Sequence, residues 1–136
     1  MSYRSDVRIV VSNKGYQELK KYVNDHLPEN LKKYNLLQSP DVEKIDDNHV
    51  YLGWNSVKWY ELSNFPEIDS IMDGLDYLRD NEYSYRYARI GENYDDYGEK
   101  NIDGDNDGYL EYPQLERYFD DDSFDLTNNV DKDVEI

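Results

Sequence analysis

The sequence predicts an α+β fold: a small mixed or antiparallel sheet with two main helices packed on one face, followed by an acidic C-terminal extension. Three observations predict it. Short runs at Val7–Val11, Val50–Trp59 and Tyr83–Ile90 are β-branched or alternate apolar with polar, as strands do. Two other stretches carry apolar residues at helical spacing. Charge then divides the chain. Residues 91–136 hold 16 acids and 3 bases, a net charge of −13, while residues 1–90 hold 15 acids and 12 bases, a net charge of −3. A core domain over 1–90 and an acidic extension over 91–136 follow from that count.

In chain order, Val7–Val11 (V-R-I-V-V) reads as a strand. Ser12 or Asn13 can cap the next helix, in which Tyr16, Leu19, Val23 and Leu27 share a face and Pro28 marks the stop. Residues 29–38 read as a short helix or a packed loop. Pro40–Asn48 is polar and reads as a connection. In Val50–Trp59 the apolar alternation changes phase at Asn55-Ser56, which predicts a hairpin or a bulged strand. Pro66, Glu67 and Asp69 announce a second helix, with Ile68, Ile71, Met72, Leu75 and Leu78 as its buried stripe. Tyr83–Ile90 alternates strictly and places Tyr83, Tyr85 and Tyr87 on one face, with Arg86 turned to solvent. A short helix is expected over Gln114–Asp120. The last ten residues have little to pack.

Composition narrows function. The chain has 136 residues, a net charge of −16 and no cysteine, which removes disulfides, thiolate metal sites and cysteine nucleophiles. No apolar run approaches the length of a membrane span, and a soluble cytoplasmic protein is the default expectation. Tyrosine is abundant: 15, against 3 Phe and 2 Trp. Its ring buries while its hydroxyl stays at a wet edge, which suits both a small core and a binding surface. The charge disfavours direct nucleic-acid binding, since few bases remain to neutralise phosphate. Neither phosphate-binding glycine loop nor G-x-S-x-G context occurs, and His26 and His49 lack metal-ligand spacing. A non-enzymatic protein is expected.

The densest chemistry lies in D-G-D-N-D-G-Y-L-E-Y-P-Q, residues 103–114. Asp103, Asp105 and Asp107 alternate, Gly108 follows, and Leu110 comes two residues later. This stretch resembles an EF-hand calcium loop. The resemblance implies Ca2+ held by Asp103, Asp105, Asp107, the Tyr109 carbonyl, Glu111 and the twelfth-position residue. That residue is Gln114, where the pattern has a bidentate glutamate, so the site loses a charge and a ligand atom. The bland alternative is a turn rich in Asp, Asn and Gly.

The opening M-S-Y-R-S-D-V-R-I and the small acidic build resemble accessory proteins encoded by bacteriophages. The resulting expectation is an acidic protein-binding inhibitor that mimics DNA toward a basic nucleic-acid-handling target. A nuclease of host defence is the natural one, as for anti-CRISPR and anti-restriction proteins, with the host cytoplasm as location. Asp95, Asp96, Glu99, Asp120, Asp121 and Asp122 are the expected partner-binding carboxylates, with Tyr94 and Tyr97 as anchors. A calcium-binding module is the alternative, and a solubilising acidic tail is the plainest reading.

Overall fold

A computed structural model describes residues 3–59, 65–93, 95–113, 119 and 121–124. The elements run β1 (Ser5–Ser12), α1 (Asn13–His26), β2 (Val42–Ile45), β3 (His49–Val57), α2 (Pro66–Asp80), β4 (Tyr85–Gly91) and β5 (Tyr97–Ile102), with 3-10 turns at 29–34, 36–38 and 121–123. The sheet order is β2-β3-β1-β4-β5, and every neighbouring pair is antiparallel. The first six main elements, β-α-β-β-α-β, have the connectivity of the split β-α-β, ferredoxin-like arrangement. β5 extends that sheet by one strand.

Both helices lie on one face. Val7, Ile9 and Val11 of β1, with Val50, Leu52, Trp54, Tyr85 and Tyr87, pack against Leu19 and Val23 of α1 and Ile68, Ile71, Leu75 and Leu78 of α2. Ser12 starts α1: its hydroxyl accepts the Gly15 N–H at 2.9 Å. Pro66 stands in the first turn of α2, and Glu67 and Asp69 follow, where the helix dipole favours acids. The two helices approach closely at Gly74, where a Cβ would come within 2.5 Å of Leu19 Cδ1. In β3 the change of phase at Asn55-Ser56 is real: Ser56 has φ of +53°, and the β1–β3 register shifts between Ser5 and Val7. The strand is bulged there.

Two expectations need correcting. Within Pro40–Asn48, residues 42–45 form β2, which pairs with β3 through Val42↔Gly53 to Ile45↔Val50. Its half-buried, half-exposed alternation suits a sheet edge and carries little apolar signal. The second correction concerns the face opposite the helices, which is not left to solvent. Leu110 and Phe124 cover Val10 and Tyr51, and Phe119 covers Ala88 and Ile90. Arg86 therefore lies fully buried on that face. Beyond residue 90, β5 joins the sheet and Leu110, Phe119 and Phe124 pack on its face. The short helix expected over Gln114–Asp120 lies outside the described residues, apart from Phe119.

Candidate functional site

The sheet turns part of the acidic third inward, at Arg8 and Arg86 on the face away from the helices and at Arg89 on the helix-bearing face. Three sheet arginines each take an aspartate from beyond residue 90. Arg8 meets Asp121, with Nε to Oδ1 at 2.9 Å and Nη2 to Oδ2 at 3.0 Å. Arg86 Nη2 donates to Asp103 Oδ1 at 2.7 Å, and Arg89 Nη2 donates to Asp96 Oδ1 at 2.7 Å. Burying a guanidinium demands such a partner, since an unpaired interior charge costs several kcal/mol, roughly.

The Arg8 pair sits in a wider network. The Tyr51 hydroxyl donates to Asp121 Oδ1, and Lys44 Nζ donates to the Asp121 carbonyl. Phe119 lies under the Arg8 guanidinium, and Phe124 stacks on Tyr51 with centroids 4.2 Å apart. Burial pushes the Asp121 carboxyl upward, but hydrogen bonds from Arg8 and Tyr51 and the charges of Arg8 and Lys44 outweigh it, leaving the group below its usual range. Burial and the facing Asp121 carboxylate together push the Tyr51 phenol well up. Asp96 is held down by hydrogen bonds from Arg89 and Tyr3.

The aspartate loop is stitched to the protein at separate places. Asp103 faces Arg86. Asp107 accepts the Ser12 hydroxyl at 2.6 Å through Oδ2 and the Ser84 N–H at 2.8 Å through Oδ1. Asn106 N–H meets the Glu82 carbonyl at 2.8 Å, and the Asn106 side chain meets the Asn81 carbonyl at 2.7 Å. Asp107 thereby joins the start of α1 to the turn before β4, and its charge lies where the α1 dipole favours it. Asp105, Tyr109 and Glu111 are exposed. The carboxylates at loop positions 1 and 5 are thus held by donors on different elements. Among the described residues, no group of three or more His, Cys, Asp or Glu stands together as a metal ion would need. This arrangement does not fit the ligand cage that the loop's resemblance implies. Gln114 lies outside the described residues.

The expected partner-binding residues fall into distinct sets. Asp96 and Asp121 are engaged by arginines. Asp95, Glu99 and Asp122 are exposed, and Tyr97 is 62% exposed. Tyr94 and Asp120 lie outside the described residues. His49 borders an open cleft of about 350 Å³, shared with Ser12, Asn13, Asp107 and Gly108. Its Nε2 accepts the Glu111 N–H at 3.4 Å, and its Nδ1 is 3.6 Å from Asp46 Oδ1. His26 stacks on Tyr22 at the end of α1, with ring centroids 3.8 Å apart.

A further acidic feature lies on α2. Asp69, Asp73, Asp76 and Asp80 follow at steps of four, three and four residues, which places them on one helical face. The last three are exposed, and Asp69 is half-buried. Burial, and after it the charge of Asp73, raises the Asp69 carboxyl. Arg79 is the cation beside the row, 3.4 Å from Asp76 and 3.2 Å from Asp80. Sequence reasoning missed the row because the near-neutral total of residues 1–90 concealed it; the spacing of the aspartates was the available signal.

No family model matches the chain, and neither does any curated protein or solved structure.

Proposed function

We infer that the chain is a non-enzymatic, acidic protein-binding inhibitor that presents carboxylates to a basic nucleic-acid-handling protein. The observation that carries this reading is the row of aspartates along α2. Over about 16 Å of helix axis it sets one carboxylate roughly every 5 Å on a rigid, well-packed element. Duplex DNA presents about one charge per 1.7 Å of axis over its two strands, so the row is a sparser strip of the same sign.

The internal ion pairs support the same reading. Arg8, Arg86 and Arg89 each cancel one aspartate and Arg79 cancels one charge of the α2 row, so the net charge of −16 resides on the remaining residues. A field of that size steers basic partners and raises their association rate. The target class proposed is a DNA-handling nuclease of the kind met in host defence, which would place the chain among anti-restriction or anti-CRISPR inhibitors.

The test is competition. Labelled duplex DNA is bound to a purified restriction endonuclease or RNA-guided nuclease, and the full-length chain is added at rising salt. Displacement that fades between ~0.05 and ~0.2 M salt, and that weakens when Asp69, Asp73, Asp76 and Asp80 are all replaced by Asn, supports the reading. Displacement indifferent to both changes defeats it.

A further inference from the structure

β5 is the last strand of the sheet, and among the described residues no strand lies beyond it. A terminal antiparallel strand leaves alternate N–H and C=O groups pointing outward, a template for one more strand. Natural edges are usually blunted by proline, by lysine or by being very short. β5 has six residues and no proline, and its lysine, Lys100, lies on the helix-bearing side, because Lys100 is the register partner of Tyr87.

The opposite side of β5 has a definite pattern. Tyr97 pairs in register with Ile90, Glu99 with Ala88 and Asn101 with Arg86, all on the face away from the helices. Asp103 joins them by facing Arg86, and its side chain remains 70% exposed. Tyr97, Glu99, Asn101 and Asp103 therefore form one outward row, with side chains about 6.7 Å apart. Tyrosines stand at both ends: Tyr97 at one, and Tyr109 with Tyr112 at the other. The rings of the latter two meet edge to face over Arg86, 6.1 Å apart. Tyr109 is 65% exposed, yet its ring is placed by the buried guanidinium beneath it.

We propose that β5 is the docking edge for an extended, arginine- or lysine-bearing segment of the partner protein, which adds as a sixth strand. This rests on the reading that the chain binds basic proteins, and names how it does so. An added strand has the same spacing as β5, so a cation on it falls opposite the exposed Glu99 carboxylate. Its flanking cations lie over the tyrosine rings, where cation–π attraction holds them. Backbone pairing supplies affinity, and Glu99 with the flanking tyrosines selects basic sequences. Charge argues against a second copy of this chain as the occupant, since each copy carries −16.

The experiment uses the full-length chain and two blocked heptapeptides, one alternating Arg with Thr and one alternating Arg with Pro. Both carry equal charge, but proline cannot donate to a ladder. Binding is read by calorimetry and by backbone amide shifts over residues 97–102. The Arg-Thr peptide is expected to bind with shifts centred on β5, and the Arg-Pro peptide at least about tenfold more weakly. Glu99→Lys is expected to weaken the Arg-Thr peptide at least about tenfold, and Tyr97→Ala to weaken it by less. Both side chains are exposed, so an unchanged melting temperature in each variant separates binding from folding.

Equal affinity for the two peptides, indifference to Glu99→Lys, or no binding of either peptide overturns the proposal. So does sedimentation of the free chain as a dimer that Glu99→Lys dissociates, which assigns the edge to a second copy. None of these results alters the DNA-displacement assay, in which the α2 aspartates decide the inhibitor reading.

Discussion

The Asp121 carboxylate grips the Arg8 guanidinium with both oxygens, at 2.9 and 3.0 Å, across 113 residues of sequence. This contact ties the acidic third to the central strand. Removing the carboxylate leaves a nearly buried arginine without its counter-charge. Asp121→Ala is expected to cost about 2–3 kcal/mol in urea unfolding, the low end for a broken buried pair because Asp121 keeps some solvent contact. Asp122→Ala, at an exposed neighbour, is expected to stay within about 0.5 kcal/mol.

The same pair sets a pH dependence. Asp121 and Asp96 both have folded-state pKa values below the ordinary carboxylate value. Their stabilisation is therefore complete above the unfolded pKa, near 4, and is lost as pH falls through the lowered folded values. Amide exchange at Leu110 and Phe124, which cover Val10 and Tyr51, is expected to stay slow down to about pH 4 and to quicken below it. In Asp121→Asn that acid transition is expected to shrink.

Asp107 acts as a clamp between Ser12 and Ser84, and a double-mutant cycle reads this directly. Ser12→Ala loses a helix cap as well as the clamp, about 1–2 kcal/mol in all. Asp107→Ala is expected to cost about 1–3 kcal/mol, and the double variant less than the sum. Because Asp103 and Asp107 are committed to protein donors, Ca2+ at matched ionic strength is expected to produce no saturable heat and no rise in melting temperature. A single-site isotherm would show that the loop rearranges into a cage.

Gly104 and Gly98 offer a steric contrast. A Cβ at Gly104 would fall 2.1 Å from the Glu82 carbonyl oxygen, where backbone must move, whereas a Cβ at Gly98 meets nothing within 4 Å. Gly104→Ala is expected to cost roughly 2 kcal/mol or more and to loosen the aspartate loop. Gly98→Ala is expected to be near neutral, within about 0.5 kcal/mol. Thermal unfolding of the two variants decides it.

Periodicity made most of the helix-bearing side legible. The stripes from Leu19 to Leu27 and from Ile68 to Leu78, the cap at Ser12 and the phase change at Asn55-Ser56 all correspond to observed features. The opposite side was illegible for a physical reason. Arg8 and Arg86 look like solvent-facing residues of alternating strands until their counter-ions are known, and Asp121 and Asp103 lie far along the chain or beyond a turn. A charge count cannot separate a paired aspartate from a free one, so Asp96 and Asp121 looked the same as Asp95 and Asp122. β5 was hidden because Y-G-E-K-N-I is polar, as an exposed edge strand is. The aspartate loop carried the composition of a metal site and of a turn alike. Only the directions of Asp103 and Asp107 distinguish the two.

In the proposed function, ordered carboxylates on α2 let this chain compete with DNA for a basic protein. The most direct measurement is displacement of labelled duplex DNA from a purified nuclease, comparing the wild-type chain with the variant in which Asp69, Asp73, Asp76 and Asp80 are all Asn. Wild-type displacement is expected to weaken as salt rises, and the variant to be at least about tenfold less potent at low salt. Equal potency of the two chains, or failure to displace DNA at any salt, would contradict it.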